Sequence, residues 1–131
     1  MKKSKTSTLT KVELEFMQII WGLGEATTLD IQDALREKGR DLTDGGIRRI
    51  LSILLKKGHL KRRREGKSFF YSARVEKDQA NKTMLLDLLT RAFSDSVSLM
   101  VTALLSTRHV SGSELDDIKR LIEEYEKEEK P

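Results

Sequence analysis

Through the first half of the chain, apolar side chains recur every three or four positions between short polar breaks, the spacing of amphipathic helices. Thr10-Lys11-Val12-Glu13 has the form of a capping box: the threonine hydroxyl accepts a backbone N–H while the glutamate reaches back to the cap. It predicts a helix from about residue 11, with Leu14, Met17, Ile20 and Trp21 on its apolar side and Gly22 or Gly24 at its end. Thr28 is placed to open a second, short helix with Leu29, Ile31, Ala34 and Leu35 inward, ended by Gly39 and Arg40-Asp41. Thr43 caps a third, in which Ile47, Ile50, Leu51, Leu54 and Leu55 share the inner face and Gly58 closes the last turn. The period then shortens. Residues 60–64 and 68–73 read as two strands about Glu65-Gly66-Lys67, a hairpin whose Phe69, Phe70 and Tyr71 are expected to cover a small core.

From residue 76 to 105 the pattern changes. Met84, Leu85, Leu86, Leu88, Leu89, Ala92, Phe93, Val97, Leu99, Met100, Val101, Leu104 and Leu105 are too many for one helical face. With no further domain long enough to cover them, they are expected to bury themselves against a second copy of the chain. Ser111-Gly112-Ser113-Glu114 opens a last amphipathic helix, with Leu115, Ile118, Leu121 and Ile122 on one side and an acidic end beyond Glu123. The expected fold is mainly α. Residues 1–75 form a winged helix-turn-helix of three helices and a β-hairpin wing, and residues 76–131 form a helical dimerisation domain.

Composition sharpens this picture. The 131 residues are 37% hydrophobic and 35% charged, enough for a modest core only. Residues 1–75 hold 17 Lys+Arg against 9 Asp+Glu, net +8, whereas residues 76–131 hold 8 against 12, net −4. A basic first part and an acidic second part suggest polyanion contact in one and self-association in the other. There is no cysteine, which removes thiolate metal sites, disulfides and Cys nucleophiles and suits a reducing cytoplasm. The basic start carries no apolar stretch after it, and the run at 84–89 is broken by Asp87, so neither secretion nor membrane insertion is expected. His59 and His109 stand alone, without HExxH or a phosphate loop, so no enzyme, cofactor or metal is expected; His59 is expected in a turn and His109 in a polar link.

The third helix is the candidate to enter a major groove, which is about 12 Å wide and distinguishes all four base pairs. Its first turn, with Thr43, Gly45 and Gly46, offers backbone N–H groups and a hydroxyl, and Arg48 and Arg49 follow between Ile47 and Ile50. Arginine forks onto guanine or clamps phosphate. Of the hairpin cations, Arg63 and the turn residue Lys67 are expected on the DNA backbone, the others solvating the surface or lying over Phe69 and Tyr71. The expected partner is a double-stranded DNA operator. The competing possibility is a winged-helix adaptor that binds protein without sequence-specific DNA binding; the basic hairpin disfavours it.

Four blocks carry a resemblance in order and spacing between Leu9 and about Ile122: LTKVELEFMQIIW, IRRILSILLKKGHL, LKRRREGKSFFYSARV and LLDLLTRAFSDSVSLMVTALL. Together they resemble the penicillinase repressor family, bacterial regulators of β-lactamase and methicillin-resistance genes that include copper-responsive members. The resemblance implies a winged-helix domain, a helical dimerisation domain, and repression by a homodimer on a dyad-symmetric operator. Two departures stand out. Gly45-Gly46 occupies positions where many relatives have threonines, so this turn either brings its backbone close to DNA or belongs to a loop ending at Gly46. In antibiotic-responsive members a membrane sensor with a metalloprotease domain triggers cleavage at an Asn–Phe bond. The resemblance aligns that bond with Ser96–Val97, and so offers these residues and a sensor-linked protease as the regulatory site and partner, with the residue types changed. The copper-responsive branch depends on cysteines this chain lacks.

Overall fold

The computed structural model describes residues 9–129; the basic start at 1–8 lies outside the described residues. The order is α1 (Lys11–Leu23), β1 (Glu25–Ala26), α2 (Thr28–Glu37), α3 (Asp44–Lys57), β2 (Leu60–Glu65), β3 (Ser68–Ala73), α4 (Lys77–Phe93), α5 (Val97–Thr107) and α6 (Gly112–Glu129). This is the mainly helical winged helix-turn-helix that the spacing predicts. One compact unit ends at Asp87 and a second begins at Leu88.

Caps set the helices of the first unit. The Thr10 hydroxyl accepts the Glu13 N–H at 3.2 Å and the Glu13 carboxylate accepts the Thr10 N–H at 3.1 Å, the expected capping box. α2 begins at Thr28, as expected, and its cap is the preceding Thr27. Thr27 and Asp30 form the reciprocal pair, at 3.1 and 3.0 Å, because an aspartate can take the place of the longer acid in that box. Thr43 caps α3 by accepting the Gly46 N–H at 3.0 Å, and Gly58 closes it at φ 85°, a left-handed conformation that glycine adopts without a Cβ clash.

The core is built from Phe16, Met17 and Ile20 of α1, Ile31 and Leu35 of α2, Ile47, Leu51 and Leu54 of α3, with Leu60 and Tyr71 of the sheet. The buried side of α1 is broader than its spacing predicts: Phe16 and Ile19 are buried, whereas Leu14 and Trp21 are only partly so. α1 is packed by α2, α3 and β3, so more than one stripe is covered. The Trp21 indole N–H donates to the Val75 carbonyl at 3.0 Å, fastening α1 to the segment after the hairpin. Leu29 departs from its predicted inward place and is 61% exposed.

The sheet has three antiparallel strands in the order β1-β3-β2, one more than predicted. Glu25 and Ala26 pair with Ser72 and Tyr71, and β2 pairs with β3 from Leu60↔Ala73 to Glu65↔Ser68. The turn is thus Gly66-Lys67, with Gly66 at φ 65°. Strand alternation divides the aromatics: Tyr71 is buried and Phe69 packs against the core, but Phe70 points to the opposite face. His59, expected as a turn residue, is buried and holds the turn together: its N–H donates to Leu54 and its carbonyl accepts from Arg74. Buried Glu13 also receives Lys57 Nζ at 2.7 Å. Burial opposes ionisation of this carboxyl, but the Lys57 and Thr10 hydrogen bonds, with the charges of Lys57 and His59, hold it below the usual carboxylate range.

Ala80 of α4 is buried and Met84 packs on the first unit's core, so the first half of α4 completes that unit, and the compact division falls after Asp87 instead of at the expected 75/76. In the second unit, α4 and α5 are separated by Ser94 and Asp95, both at positive φ (51° and 63°). Asp95 N–H donates to Leu89 O, Ser96 N–H to Phe93 O, and the Thr90 hydroxyl to the Asp95 carboxylate, at 2.8–3.0 Å. Neither α5 nor α6 contains a buried residue. Among the described residues, no single helix is long and apolar enough to cross a membrane.

Candidate nucleic-acid interface

In the first turn of α3, Asp44 and Gly45 are exposed and Gly46 half-exposed, while Ile47 is buried in the core. The helix starts at Asp44, so Gly45 and Gly46 lie inside it and the alternative of a loop ending at Gly46 is excluded. A Cβ at Gly45 would meet nothing within 4 Å, whereas one at Gly46 would lie 3.2 Å from the Thr43 hydroxyl oxygen. Glycine at 46 therefore seats the cap. The oxygen of Thr43 accepts the Gly46 N–H, which leaves the hydroxyl's own hydrogen free to be donated. The N–H groups of Asp44 and Gly45 have no acceptor within the helix, as the first turn dictates. Arg48 Nε donates to Asp44 Oδ2 at 2.7 Å, one helical turn away, and that bond keeps the guanidinium even more firmly protonated. Arg49 is exposed and makes no ion pair among the described residues.

The hairpin is two-sided. On one face Arg62 and Arg64 both lie over Phe69, 4.2 and 5.5 Å from the ring centre. On the other, Arg63 lies over Phe70 at 4.6 Å and bridges two carboxylates, Glu25 at 2.7 and 3.0 Å and Glu65 at 2.6 Å. The Arg63 hydrogen bond lowers the Glu25 carboxyl, and Glu25 first, then Glu65, raises the guanidinium. The backbone role expected of Arg63 thus competes with a tie between the hairpin and β1. Lys67, at the turn, is exposed and carries no such tie.

Arg48 and Lys67, distant in sequence, line one open cleft of about 510 Å³ together with Asp44, Ser68 and Phe69. The remaining wall is the start of α2: Thr27, Thr28, Leu29 and Gln32. Sequence spacing assigns Leu29 to the core, gives Thr28 a place only as the start of α2, and gives Gln32 no role. The only available signal was the alternation of a threonine cap with an apolar residue that the 3.6-residue period places at the edge of the buried stripe. Arg49, Thr43 and Gly45 lie on the same first turns of α3 but outside the cleft lining.

Of the residues expected to pair two chains, Leu85, Leu88, Val97, Val101 and Leu104 are exposed at 44–64%, and Leu89, Phe93 and Met100 are half-buried. Met84 instead packs within the first unit. Leu121 and Ile122 of α6, which the amphipathic spacing marks without assigning them to an interface, are also exposed, as is Tyr125, which that spacing does not mark. Ser96 caps α5, its hydroxyl accepting the Leu99 N–H at 3.1 Å, and Val97 is exposed at the first position of that helix.

Residues 9–124 match the profile described as penicillinase repressor. The penicillinase repressor of Bacillus licheniformis is 24% identical over 128 residues, 96% of this chain and 98% of that protein. A Latilactobacillus sakei protein, known as a 16.5 kDa protein in the ptsI 3' region, is 30% identical over 117 residues, 89% and 80% of the two chains. Among solved structures, the DNA-binding domain of the repressor BlaI superposes with a TM-score of 0.51 at 29% identity, covering 60% of this chain and 93% of that one. A RosR chain has a TM-score of 0.53 at 13% identity over 97% and 100%, a likeness of fold alone.

Proposed function

Because this chain belongs to the penicillinase repressor family, we infer that it is a DNA-binding transcriptional repressor that acts as a homodimer on a dyad-symmetric operator. The observation that carries the reading is the convergence of α3, the α2 start and the hairpin turn on one cleft holding Arg48 and Lys67. An α-helix fits the major groove with its first turns toward the base edges. Thr43 and Gly45 then bring donors to the DNA backbone or groove floor while Gly46 seats the cap and lets the backbone approach closely, Arg48 and Arg49 contact bases or phosphate, and Lys67 neutralises a flanking phosphate. Arg63 contributes through the hairpin's position more than through free charge.

The exposed apolar surface of α5 and α6 supports the homodimer, since a patch of aliphatic side chains this rich marks an interface. Two heads on a twofold axis suit half-sites about 34 Å apart or a multiple of it. The reading makes the protein non-catalytic and cytoplasmic, where the operator is.

Duplex binding as a function of salt, with selection from random duplexes, tests it. The wild type is expected to enrich a dyad motif and to lose affinity steeply as salt rises. Replacing Arg48 and Arg49 together with alanine should abolish the motif's advantage over random DNA. Lys67→Ala should reduce the log–log salt slope by about one, and Arg63→Ala by less, because its charge is already balanced. Salt-independent binding, or no enriched dyad, would refute the operator reading.

A further inference from the structure

The geometry points to the Asp44–Arg48 pair as a composite reader of one G·C base pair in each half-site, with Arg48 on guanine and Asp44 on the cytosine amino group. This rests on the operator reading above. The observation that calls for explanation is a carboxylate at the first position of the helix that would enter a groove lined by phosphates. Asp44 and Arg48 are both about 60% exposed, so nothing in the core fixes them in place. Their single bond uses Arg48 Nε, which leaves both terminal guanidinium nitrogens to donate side by side. Guanine offers O6 and N7 as the matching pair of acceptors, and an aspartate accepts from cytosine N4. Gly45 and Gly46 carry no side chain that would hold the two groups away from a base edge, and the space beyond Gly45 is open.

The same constellation rejects A·T and C·G by chemistry, and it favours G·C over T·A through the second acceptor that guanine offers where thymine has O4 alone beside a methyl group. Over A·T, the arginine meets the adenine amino group, donor against donor, and the carboxylate meets thymine O4, acceptor against acceptor. Over the reversed C·G orientation both contacts fail likewise. Asp44 thus serves specificity rather than affinity: it aims Arg48 and penalises the wrong base.

A purely structural Asp44–Arg48 pair, supporting the helix at i,i+4, predicts a different result, so base preference is the discriminating readout. Wild type, Asp44→Ala, Asp44→Asn and Arg48→Ala would be selected on random duplexes and then titrated on the selected operator and on versions with one base pair exchanged per half-site. Circular dichroism would confirm that each is folded, as expected for exposed positions. The wild type should prefer G·C at one position per half-site by about 10- to 100-fold, and each variant should flatten that preference while keeping it elsewhere. The double variant Asp44→Ala, Arg48→Ala should lose less discrimination there than the two single losses added together, because each side chain depends on the other for its aim. A dyad motif whose base preferences are the same in wild type and variants would overturn this inference and leave the operator reading standing. Absence of any dyad motif in the wild type would overturn both.

Discussion

The first unit and the second hold apolar residues in similar proportion and treat them in opposite ways. α2, with only a few aliphatic residues, buries Ile31 and Leu35 completely because α1 and α3 close over them. α5, which is far richer in leucine and valine, buries none. The difference shows that hydrophobic content does not make a core; a second layer does. Within one chain α5 and α6 lack that layer, and the first unit has it.

The largest expected effect comes from breaking the second unit's need for a partner. Leu104→Glu combined with Leu121→Glu should give monomers by sedimentation equilibrium, with operator affinity reduced about 100-fold or more and the first unit still folded. Unchanged operator binding by demonstrated monomers would show that the surface serves something else. An intermediate effect tests the first unit's self-sufficiency. Glu13→Ala removes the reciprocal cap of α1 and the Lys57 bond together and should cost about 2 kcal/mol in urea unfolding. Because the folded carboxyl is depressed, its contribution is present above the unfolded value of 4.5 and is lost as pH falls through the lower folded value. Acid titration of the wild type should therefore show a stability loss below pH 4.5 that Glu13→Ala lacks. The smallest effect sharpens the contrast: Gly45→Ala should raise the first unit's stability by up to about 1 kcal/mol, since alanine favours the helix and meets no neighbour. Gly46→Ala should gain less, its methyl crowding the Thr43 oxygen. Thermal melts of the two variants read the difference.

Much of the fold was legible because caps and periodicity are local. Thr10 with Glu13, Thr43, Gly58 and the hairpin turn all act over a few residues, and their outcomes follow from those residues alone. β1 was not legible: two residues are too few to show an alternation, and Glu25-Ala26 becomes a strand only because β3 lies beside it. Leu29 was misplaced for a related reason. Periodicity gives the direction of a stripe but not its width, which depends on how far α3 and the hairpin extend over α2. At the interface, the cationic residues were visible by type, but their commitments were not. That Arg63 is engaged by Glu25, 38 positions away, depends on tertiary pairing. The Arg48–Asp44 bond, by contrast, lies within one turn and was present in the spacing.

The alternation of Arg62, Arg63 and Arg64 gives the hairpin a polarity that a run of three like charges conceals. Arg62 and Arg64 occupy the Phe69 side and make no ion pair among the described residues, while on the reverse the charges of Lys61 and Arg63 are equalled in number by Glu25 and Glu65, both of which bond Arg63. A polyanion drifting in from the reverse meets a neutral wall, and one from the Phe69 side meets a funnel. Encounter itself is thereby oriented, so that the protein arrives on its target right way round before any base is touched.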